Sequence, residues 1–354
     1  MTTVALRHHW SGDSELQALQ VAAKALAGVD LQWSDAPRPG GIEMVKMHGQ
    51  EIVAAAASVP GLIDLSGHVD VAELRRRCRP CVLESMITPQ GACHGIPMGI
   101  HRSNCLWVHA DDAAVPASFV GWLAWLDARR GRITHPLAVS AEPWQVGLLF
   151  EVVLLSIGGC AFHDQVFARA DPQAMASSRM RQVLDGFVQL RDFVSQRSLA
   201  SNWRMLAQDL REGRVAAFVM GDWARKEFSA WGGPPGDAVG EWQVPGTQRL
   251  ALFNVDYFVP IMRGDHAASD GRLAGLVSCL IDAHVQQAFN RAKGSLPAVL
   301  DAGDELLTQE WVPSMSFDHA CDAQRRQLFA TAATAFFLGD ETRDRTIDRL
   351  IEGT

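Results

Sequence analysis

The first part of the chain alternates between short apolar runs and apolar residues at helical spacing. Val4 to Trp10 predicts a buried strand, and Val29 to Trp33 predicts a second one. Between them, Ser14 is a candidate N-cap, with Gln17 at capping-box spacing. The apolar face of the intervening helix is formed by Leu16, Leu19, Ala23 and Leu26. A strand, a helix and a strand in this order are typical of an α/β fold.

The same patterns predict further elements along the rest of the chain. Strands are expected at 95–100, 106–108, 214–220 and 253–261. Val45 to His48 leads into a helix over 50–57, and further helices are expected around 119–126, 150–154, 180–196, 206–212 and 273–290. Asp222 is a candidate N-cap for a helix that starts near Trp223. The strand at 253–261 lies far from the opening unit and leaves room for the chain to return to it.

Composition and charge exclude several classes of protein. With 354 residues, the chain is long enough for two lobes. Apolar residues make up 48% and charged residues 20%, which excludes disordered, collagen-like and coiled-coil chains. The net charge of −8 lacks the basic character of a nucleic-acid binder. We expect a soluble globular protein.

The sequence predicts neither a membrane span nor a cleavable signal. The longest apolar stretch, Val146 to Gly158, contains Glu151 and is too short to cross a bilayer. Met1-Thr2-Thr3 lacks a basic start and leads directly into the first predicted strand. From the residues alone, we expect a cytoplasmic protein, or an exported one whose signal has been removed.

The cysteines and the common motifs give no positive sign of an enzyme. Cys78 and Cys81 have C-x-x-C spacing, which suits a redox pair or half of a zinc site, but only Cys93-His94 follows nearby. A structural role for the seven cysteines is therefore favoured. The sequence contains no P-loop, G-x-G-x-x-G after a strand, H-E-x-x-H, G-x-S-x-G or EF-hand loop. We expect no catalytic residue, metal or cofactor.

Tryptophan and lysine are the informative residue types. The chain has 11 tryptophans beside one tyrosine, and Trp10, Trp203 and Trp223 stand near the ends of predicted elements. A flat indole face packs well against the C–H face of a sugar ring, while carboxylates, amides and lysines bind its hydroxyl groups. Only four basic residues are lysines: Lys24, Lys46, Lys226 and Lys293. The alternative is that the tryptophans are large core residues.

Several ordered blocks carry a resemblance to a known family. Residues 213–224, GRVAAFVMGDWA, resemble the G-K-A-A-M-x-x-M-G-D-W-A block of the family 1 extracellular solute-binding proteins, the sugar-capturing components of ABC importers. The nearest branch is similar to the glucose/mannose binders. Residues 9–15 are similar to W-W-T-S-G-G-E, and residues 96–104 to V-P-V-N-V-H-R-x-N. Further blocks follow in the family's order at 143–145, 245–247, 253–256 and 289–297.

The resemblance implies an α/β fold with two lobes, the type II periplasmic-binding-protein or Venus-flytrap fold, joined by hinge strands. Its lobes are expected at 1–106 with 257–300 and at 107–256 with 301–354. It implies capture of a mono- or small oligosaccharide, glucose-like, in the cleft between lobes that close on it. The partners are then the sugar and an ABC permease in the membrane, with no nucleic acid, and the protein is a monomer in the periplasm. The alternative is a ligand sensor or interaction partner on the same scaffold, with altered specificity.

The resemblance also implies a set of ligand-binding residues. Trp10, Lys46 and His48 would line the first lobe, and Glu15 would accept hydrogen bonds from sugar hydroxyls, with a first-turn helix carboxylate as the alternative. Trp203 and Trp223 would supply stacking faces from the second lobe. Asp256, with Asn254, would bind a pair of hydroxyls or else form a hinge turn, and Lys293 would donate to the same sugar edge or else be a helix C-terminal cation.

Two substitutions depart from the family pattern at this predicted site. His9 stands where the family has the first tryptophan of a pair, and Phe317 stands where it has a histidine. His319, two residues further on, replaces that histidine only if the loop shifts. The stretches 41–48 and 297–313 are also shorter than in the family.

Overall fold

A computed structural model describes residues 2–8, 10, 12–26, 29–33, 41–88, 90–109, 115–230, 239–263, 270–299 and 309–353. Its strands are β1 (Thr2–Arg7), β2 (Val29–Trp33), β3 (Gly41–Met47), β4 (Ile96–Arg102), β5 (Cys105–His109), β6 (Leu137–Ala138), β7 (Ala217–Val219), β8 (Val239–Gln243), β9 (Leu250–Arg263) and β10 (Glu310–Pro313). Its helices are α1 (Asp13–Ala25), α2 (Gly49–Ser58), α3 (Val71–Arg77), α4 (Pro80–Met86), α5 (Phe119–Asp127), α6 (Pro143–Gly158), α7 (Cys160–His163), α8 (Pro172–Ala176), α9 (Ser178–Leu190), α10 (Gln196–Leu199), α11 (Trp203–Arg211), α12 (Ala224–Ala230), α13 (Asp270–Leu280), α14 (Ala283–Lys293), α15 (Ala323–Leu338) and α16 (Arg343–Glu352). Short 3₁₀ turns lie at Leu65–Gly67 and Arg191–Phe193, and a π-helical turn lies at Asp164–Ala168.

The chain folds into two compact units. Unit 1 comprises Met1–His101 and Phe253–Thr308, and unit 2 comprises Arg102–Leu252 and Gln309–Thr354. The chain thus passes from one unit to the other at 101/102, 252/253 and 308/309. These positions lie close to the lobe boundaries predicted at 106/107, 256/257 and 300/301. Asn254 and Asp256 fall in unit 1. The predicted lobe boundaries themselves stay a prediction.

Unit 1 is built on a mixed sheet. Strand β1 pairs in parallel with both β2 and β3, as a strand–helix–strand opening requires. Strand β9 runs antiparallel to β3, from Gly41 opposite Arg263 to Met47 opposite Tyr257. Strand β4 pairs with β9. The expectation that the late strand returns to the opening unit is therefore confirmed.

Helix α14 is fixed to strand β4 by buried amide side chains. The Gln286 amide donates to the carbonyls of Pro97 and Leu280 at 2.9 and 2.8 Å. The Asn290 amide donates to the carbonyl of Met98 at 2.8 Å, and its oxygen accepts from the Ser295 hydroxyl at 2.6 Å. These bonds satisfy polar groups that the packing removes from water. They also fix the position of Lys293 at the end of α14.

Unit 2 has a four-stranded sheet with a different residue set on each face. Among the described residues the strand order is β6-β7-β5-β8. One face contributes Leu106, Val108, Ala217 and Val219 to a large core around α6. The other contributes Cys105, Trp107, Phe218 and Met220 to a smaller cluster, against which Trp144, Trp203 and Trp223 pack. Strand alternation therefore separates the main core from an aromatic surface.

Most predicted elements are confirmed, and two local predictions are wrong. The predicted helix over 273–290 is two helices, because the turn at Ile281-Asp282 separates them and the Asp282 side chain accepts from the first backbone N–H groups of α14. Helix α1 is not capped by Ser14 and Gln17. Its capping box uses the backbone of Gly12 and the carboxylate of Glu15.

Two further features bear on earlier predictions. Among the described residues, the helices include none with the length and apolar character to span a membrane. Burial raises the pKa of Cys81 to about 11, so this thiol is protonated at neutral pH, and all seven cysteines are free thiols. The protonated, partly buried thiol of Cys81 favours the structural interpretation of the C-x-x-C pair.

The contact between β4 and α14 predicts a cost for adding a single methyl group. A Cβ at Gly99 would lie 2.2 Å from Oδ1 of Asn290, so Gly99→Ala should lower the free energy of unfolding by about 1–3 kcal/mol through overpacking. Urea denaturation measures the change. Gly67→Ala is the matched control, because a Cβ there meets nothing within 4 Å. Equal stability of the two variants would contradict the described contact.

Candidate functional site

A buried carboxylate in β9 is the centre of a charged cluster in unit 1. Asn254, Asp256 and Phe258 share one face of β9, and Lys46 lies opposite Phe258 on β3. The Lys46 ammonium is 3.2 Å from Oδ1 of Asp256, and the Lys293 ammonium donates to Oδ2. The side chains of Lys46, Asp256 and Lys293 are 1%, 3% and 2% exposed. Ionic groups are almost never buried this deeply unless they are paired.

Two histidines complete this arrangement. Nε2 of His48 lies 3.4 Å from Oδ1 of Asp256, and Nε2 of His101 lies 3.4 Å from Oδ2. The Lys46 ammonium is 2.6 Å from Nε2 of His48. Asp256, Lys46, Lys293, His48 and His101 are called the Asp256 cluster below.

The neighbours of Asp256 keep it ionised. Burial alone would raise its pKa, but Lys293 and Lys46, together with hydrogen bonds from His101 and His48, hold the pKa well below its usual value. Burial lowers the pKa of Lys293, and the charges of Asp256 and Glu15 oppose that change. Lys46 and Lys293 thus both lie against Asp256, and the charge of Glu15 also acts on Lys293.

The Trp10 ring packs against the Asp256 cluster. The Lys293 ammonium lies 3.9 Å from the centroid of the Trp10 ring, in cation–π geometry. Phe258 and Phe289 hold the ring from other sides, with centroids 6.0 and 6.3 Å away. Trp10 is 6% exposed. In this arrangement the indole face is occupied by an ammonium of the protein.

The remaining predicted residues of unit 1 have local roles as well. The Glu15 carboxylate accepts from the backbone N–H of Gly12 at 2.8 Å, which is the alternative predicted for it. Lys293 is the last residue of α14, but its ammonium binds Asp256. Asn254 is buried on the same strand face as Asp256. Ligand contacts by these residues stay predictions.

His101 is a member of the cluster that the sequence analysis did not single out. It lies in β4, beside β9, and is 3% exposed. The signal was present, because His101 belongs to the block at 96–104 that matches V-P-V-N-V-H-R-x-N. The Asp222 carboxylate accepts from the backbone N–H of Arg102 at 3.0 Å, and its role as a helix N-cap stays a prediction.

Four partly exposed aromatic residues form a second group, in unit 2. Trp144, Trp203 and Trp223 pack on the smaller cluster of the sheet. Phe317 meets Trp223 edge to face, with centroids 5.2 Å apart and planes at 78°. These residues, Trp144, Trp203, Trp223 and Phe317, are called the aromatic set below. The structure thus associates the predicted Trp203 and Trp223 with two aromatics that the sequence analysis did not assign.

Local backbone features set the positions of these rings. The Asn202 side chain accepts from the N–H groups of Arg204 and Met205, so helix α11 starts at Trp203. A Cβ at Gly221 would lie 1.9 Å from the Trp223 ring, so only glycine lets that ring fold back over the backbone. The glycine of the G-D-W motif is therefore required sterically, because any side chain there would clash with the Trp223 ring.

The loop after β10 presents Phe317 to Trp223, and His319 is buried in it. The backbone N–H of His319 donates to the carbonyl of Ser314 at 2.9 Å, and the residue is 6% exposed. A binding role for His319 stays a prediction. His9, the other departure from the family pattern, lies outside the described residues.

The Asp256 cluster predicts an acid-sensitive loss of stability. Asp256→Asn leaves two buried ammonium groups without their carboxylate and should cost about 3–5 kcal/mol at pH 7. Because the folded-state pKa of Asp256 is lowered, its contribution is complete above the unfolded value of about 3.9. The contribution is lost as the pH falls below that value toward the folded pKa. Urea denaturation at pH 7, 5 and 3 should show the gap between wild type and variant narrowing at pH 3.

Glu73→Gln is the control for this experiment in the same unit. Glu73 pairs with Arg77 at 3.7 Å and is 52% exposed, so the change should cost less than about 1 kcal/mol at every pH. An Asp256→Asn variant as stable as this control at pH 7 would contradict the described ion pairs.

The chain is similar to known binding proteins both in sequence and in fold. The chain matches no protein-family model. It is 28% identical over 323 residues to a probable sugar-binding periplasmic protein of Brucella suis. The aligned region covers 85% of this chain and 76% of that protein. A protein of the same description from Mesorhizobium japonicum is 27% identical over 325 residues, with 85% and 77% covered. A solved chitin oligosaccharide binding protein superposes with a TM-score of 0.81 at 12% identity, over 99% of this chain and 97% of that one.

These matches extend over most of the chain and confirm the predicted two-lobed α/β fold of periplasmic binding proteins. The similar proteins are described as binding proteins and not as enzymes, which confirms the expectation drawn from the missing catalytic motifs. The protein is thus a divergent relative of periplasmic proteins that are described as probable sugar-binding proteins.

Proposed function

We propose that this protein captures a neutral, glucose-like mono- or small oligosaccharide in the periplasm and delivers it to an ABC permease. The relatives from Brucella and Mesorhizobium are named as probable sugar-binding periplasmic proteins, which supports both the ligand class and the compartment. Closure of two lobes on the sugar, which the family resemblance implies, is part of this proposal. A ligand favours one arrangement of a protein by as much as it binds that arrangement better.

The Asp256 cluster is the observation that carries the proposal. A sugar hydroxyl both donates and accepts, so it can bind a carboxylate and an ammonium at the same time. Asp256, Lys46 and Lys293 offer both types of partner within one cluster. Charge-assisted hydrogen bonds of this kind are about twice as strong as neutral ones. The cluster is thus chemically suited to adjacent hydroxyl groups.

The charge balance of the cluster supports a neutral ligand. Both ammonium groups lie against the Asp256 carboxylate, and the negative charge of Glu15 also acts on Lys293. An acidic sugar would bring a third carboxylate into a site whose cations already have partners, and desolvating an unpaired charge is costly. We therefore expect glucose to bind better than glucuronate.

The aromatic set supports a ring-shaped ligand. Trp203 and Trp223 are partly exposed and pack against the smaller cluster of the sheet, and Phe317 meets Trp223 edge to face. Apolar indole faces suit the C–H face of a pyranose ring. Stacking on Trp203 and Trp223 is therefore the expected contribution of unit 2.

Calorimetric titration with a panel of glucose, galactose, mannose, maltose, glucuronate and glutamate tests the proposal. The wild-type protein should bind at least one neutral sugar and neither of the two acids. Trp203→Ala and Trp223→Ala should each weaken that binding by about tenfold or more, equivalent to about 1.4 kcal/mol.

Trp242→Ala is the matched control among the tryptophans of unit 2. Trp242 pairs with Leu106 in the ladder and thus lies on the face of the sheet opposite the aromatic set. It is 41% exposed, so truncating it should leave both folding and sugar affinity unchanged. Failure of every neutral sugar to bind a folded wild-type protein would contradict the proposal and favour the sensor alternative.

A further inference from the structure

A second buried carboxylate lies in unit 2, far along the chain from the Asp256 cluster. Glu151 interrupts the apolar sequence of α6 and is 0% exposed. A carboxylate in such a place is costly unless hydrogen bonds or charges compensate it. The positions from Val146 to Leu155 around it are otherwise buried and, except Gly147, large and apolar. The partners of Glu151 therefore show what the charge is used for.

Three of these partners belong to one loop. The Ser314 hydroxyl donates to Oε2 of Glu151 at 2.9 Å, and the Ser316 backbone N–H donates to the same oxygen at 3.0 Å. The Met315 backbone N–H donates to Oε1. His163 binds Oε1 from the other side, with its Nε2 at 3.0 Å. A single side chain thus holds three consecutive residues of the loop that follows β10.

The loop over 314–320 has a constrained conformation beyond these bonds. Asp318 has a φ of 54°, which is unfavourable for a residue with a side chain. Its carboxylate binds Nε of Arg326 at 2.7 Å. The N–H groups of His319 and Ala320 both donate to the carbonyl of Ser314. A conformation of this kind persists only where its surroundings hold it.

Phe317 is the residue that this loop contributes to the aromatic set. It follows directly after the three residues bound by Glu151, and its ring meets the Trp223 ring edge to face. The position of the Phe317 ring, and with it the contact to Trp223, therefore depends on the backbone of the 314–320 loop. A sugar that stacks on Trp223 would meet a surface that this loop shapes.

We infer that Glu151 is a positioning residue that fixes the 314–320 loop so that Phe317 and Trp223 form one sugar-stacking surface. The inference rests on the proposed function, since it concerns how the aromatic set binds. Glu151 touches no ligand in this account. It acts through the loop backbone, and its removal changes affinity by disordering Phe317.

Glu151→Gln is the test, because it keeps the size of the side chain but replaces one acceptor oxygen by a donor group. In the ligand-free protein, hydrogen exchange should accelerate by about tenfold or more at the amides of Met315 and Ser316. Exchange in β7 should stay at the wild-type rate. Affinity for the best neutral sugar should fall by about tenfold or more.

Val152→Ala is the matched control on the same helix. Val152 is also 0% exposed, so its truncation destabilises unit 2 without removing a partner of the loop. It should leave sugar affinity at the wild-type value, and it should not accelerate hydrogen exchange selectively in the 314–320 loop. Ser314→Ala is the second test variant and replaces Glu151→Gln if the glutamine variant fails to fold. It removes only one hydrogen-bond donor to Glu151, so hydrogen exchange should accelerate and sugar affinity should fall by less than the changes expected for Glu151→Gln.

The outcomes separate the two proposals. A wild-type protein that binds no neutral sugar overturns the proposed function, and the exchange rates still test whether Glu151 holds the loop. A wild-type protein that binds sugar, with unchanged exchange and affinity in Glu151→Gln and Ser314→Ala, overturns the role of Glu151. Equal losses in Glu151→Gln and Val152→Ala also overturn it, because general stability would then explain the effect.

Discussion

A carboxylate stays ionised away from water only if cations and hydrogen-bond donors surround it, and Asp256 imposes this condition on unit 1. Strand β9 places it opposite β3, which supplies Lys46, and α14 must end where Lys293 reaches it. The amides of Gln286 and Asn290 fix that helix on β4. The position of one charge therefore links two strands and a helix, and the same groups have the chemistry to exchange these partners for sugar hydroxyls.

Unit 2 also contains a buried carboxylate that needs surrounding hydrogen-bond donors, but its partners differ from those of Asp256. Glu151 is also buried, but its partners are backbone N–H groups of a loop and a histidine, so its charge organises a chain segment. That segment contributes Phe317 to the surface around Trp223. In each unit a buried carboxylate and an aromatic side chain lie within the same small region. In the proposed function, the Asp256 cluster binds hydroxyl groups and the aromatic set stacks on the sugar ring.

The sequence predicts those parts of this structure that depend on local patterns and ordered motifs. The strand–helix–strand opening, β4, β5 and β9 follow from periodicity, and the candidate residues Asp256, Lys46 and Lys293 follow from the resemblance. The ion pairs among these three residues were not predicted, because β3, β9 and α14 are far apart in sequence. The break between α13 and α14 depends on one capping aspartate, Asp282, inside a continuous helical pattern. The role of Glu151 depends on a loop more than 160 residues away in sequence, and no local signal reports such a contact.

A crystal structure of the protein with the best-binding neutral sugar shows whether the Asp256 cluster binds the ligand. Hydroxyl oxygens of the sugar should lie within hydrogen-bond distance of the Asp256 carboxylate and of at least one of Lys46 and Lys293, and a sugar ring should lie on the face of Trp203 or Trp223. A sugar bound elsewhere, with the Asp256 cluster keeping only its present protein partners, would contradict the proposed function.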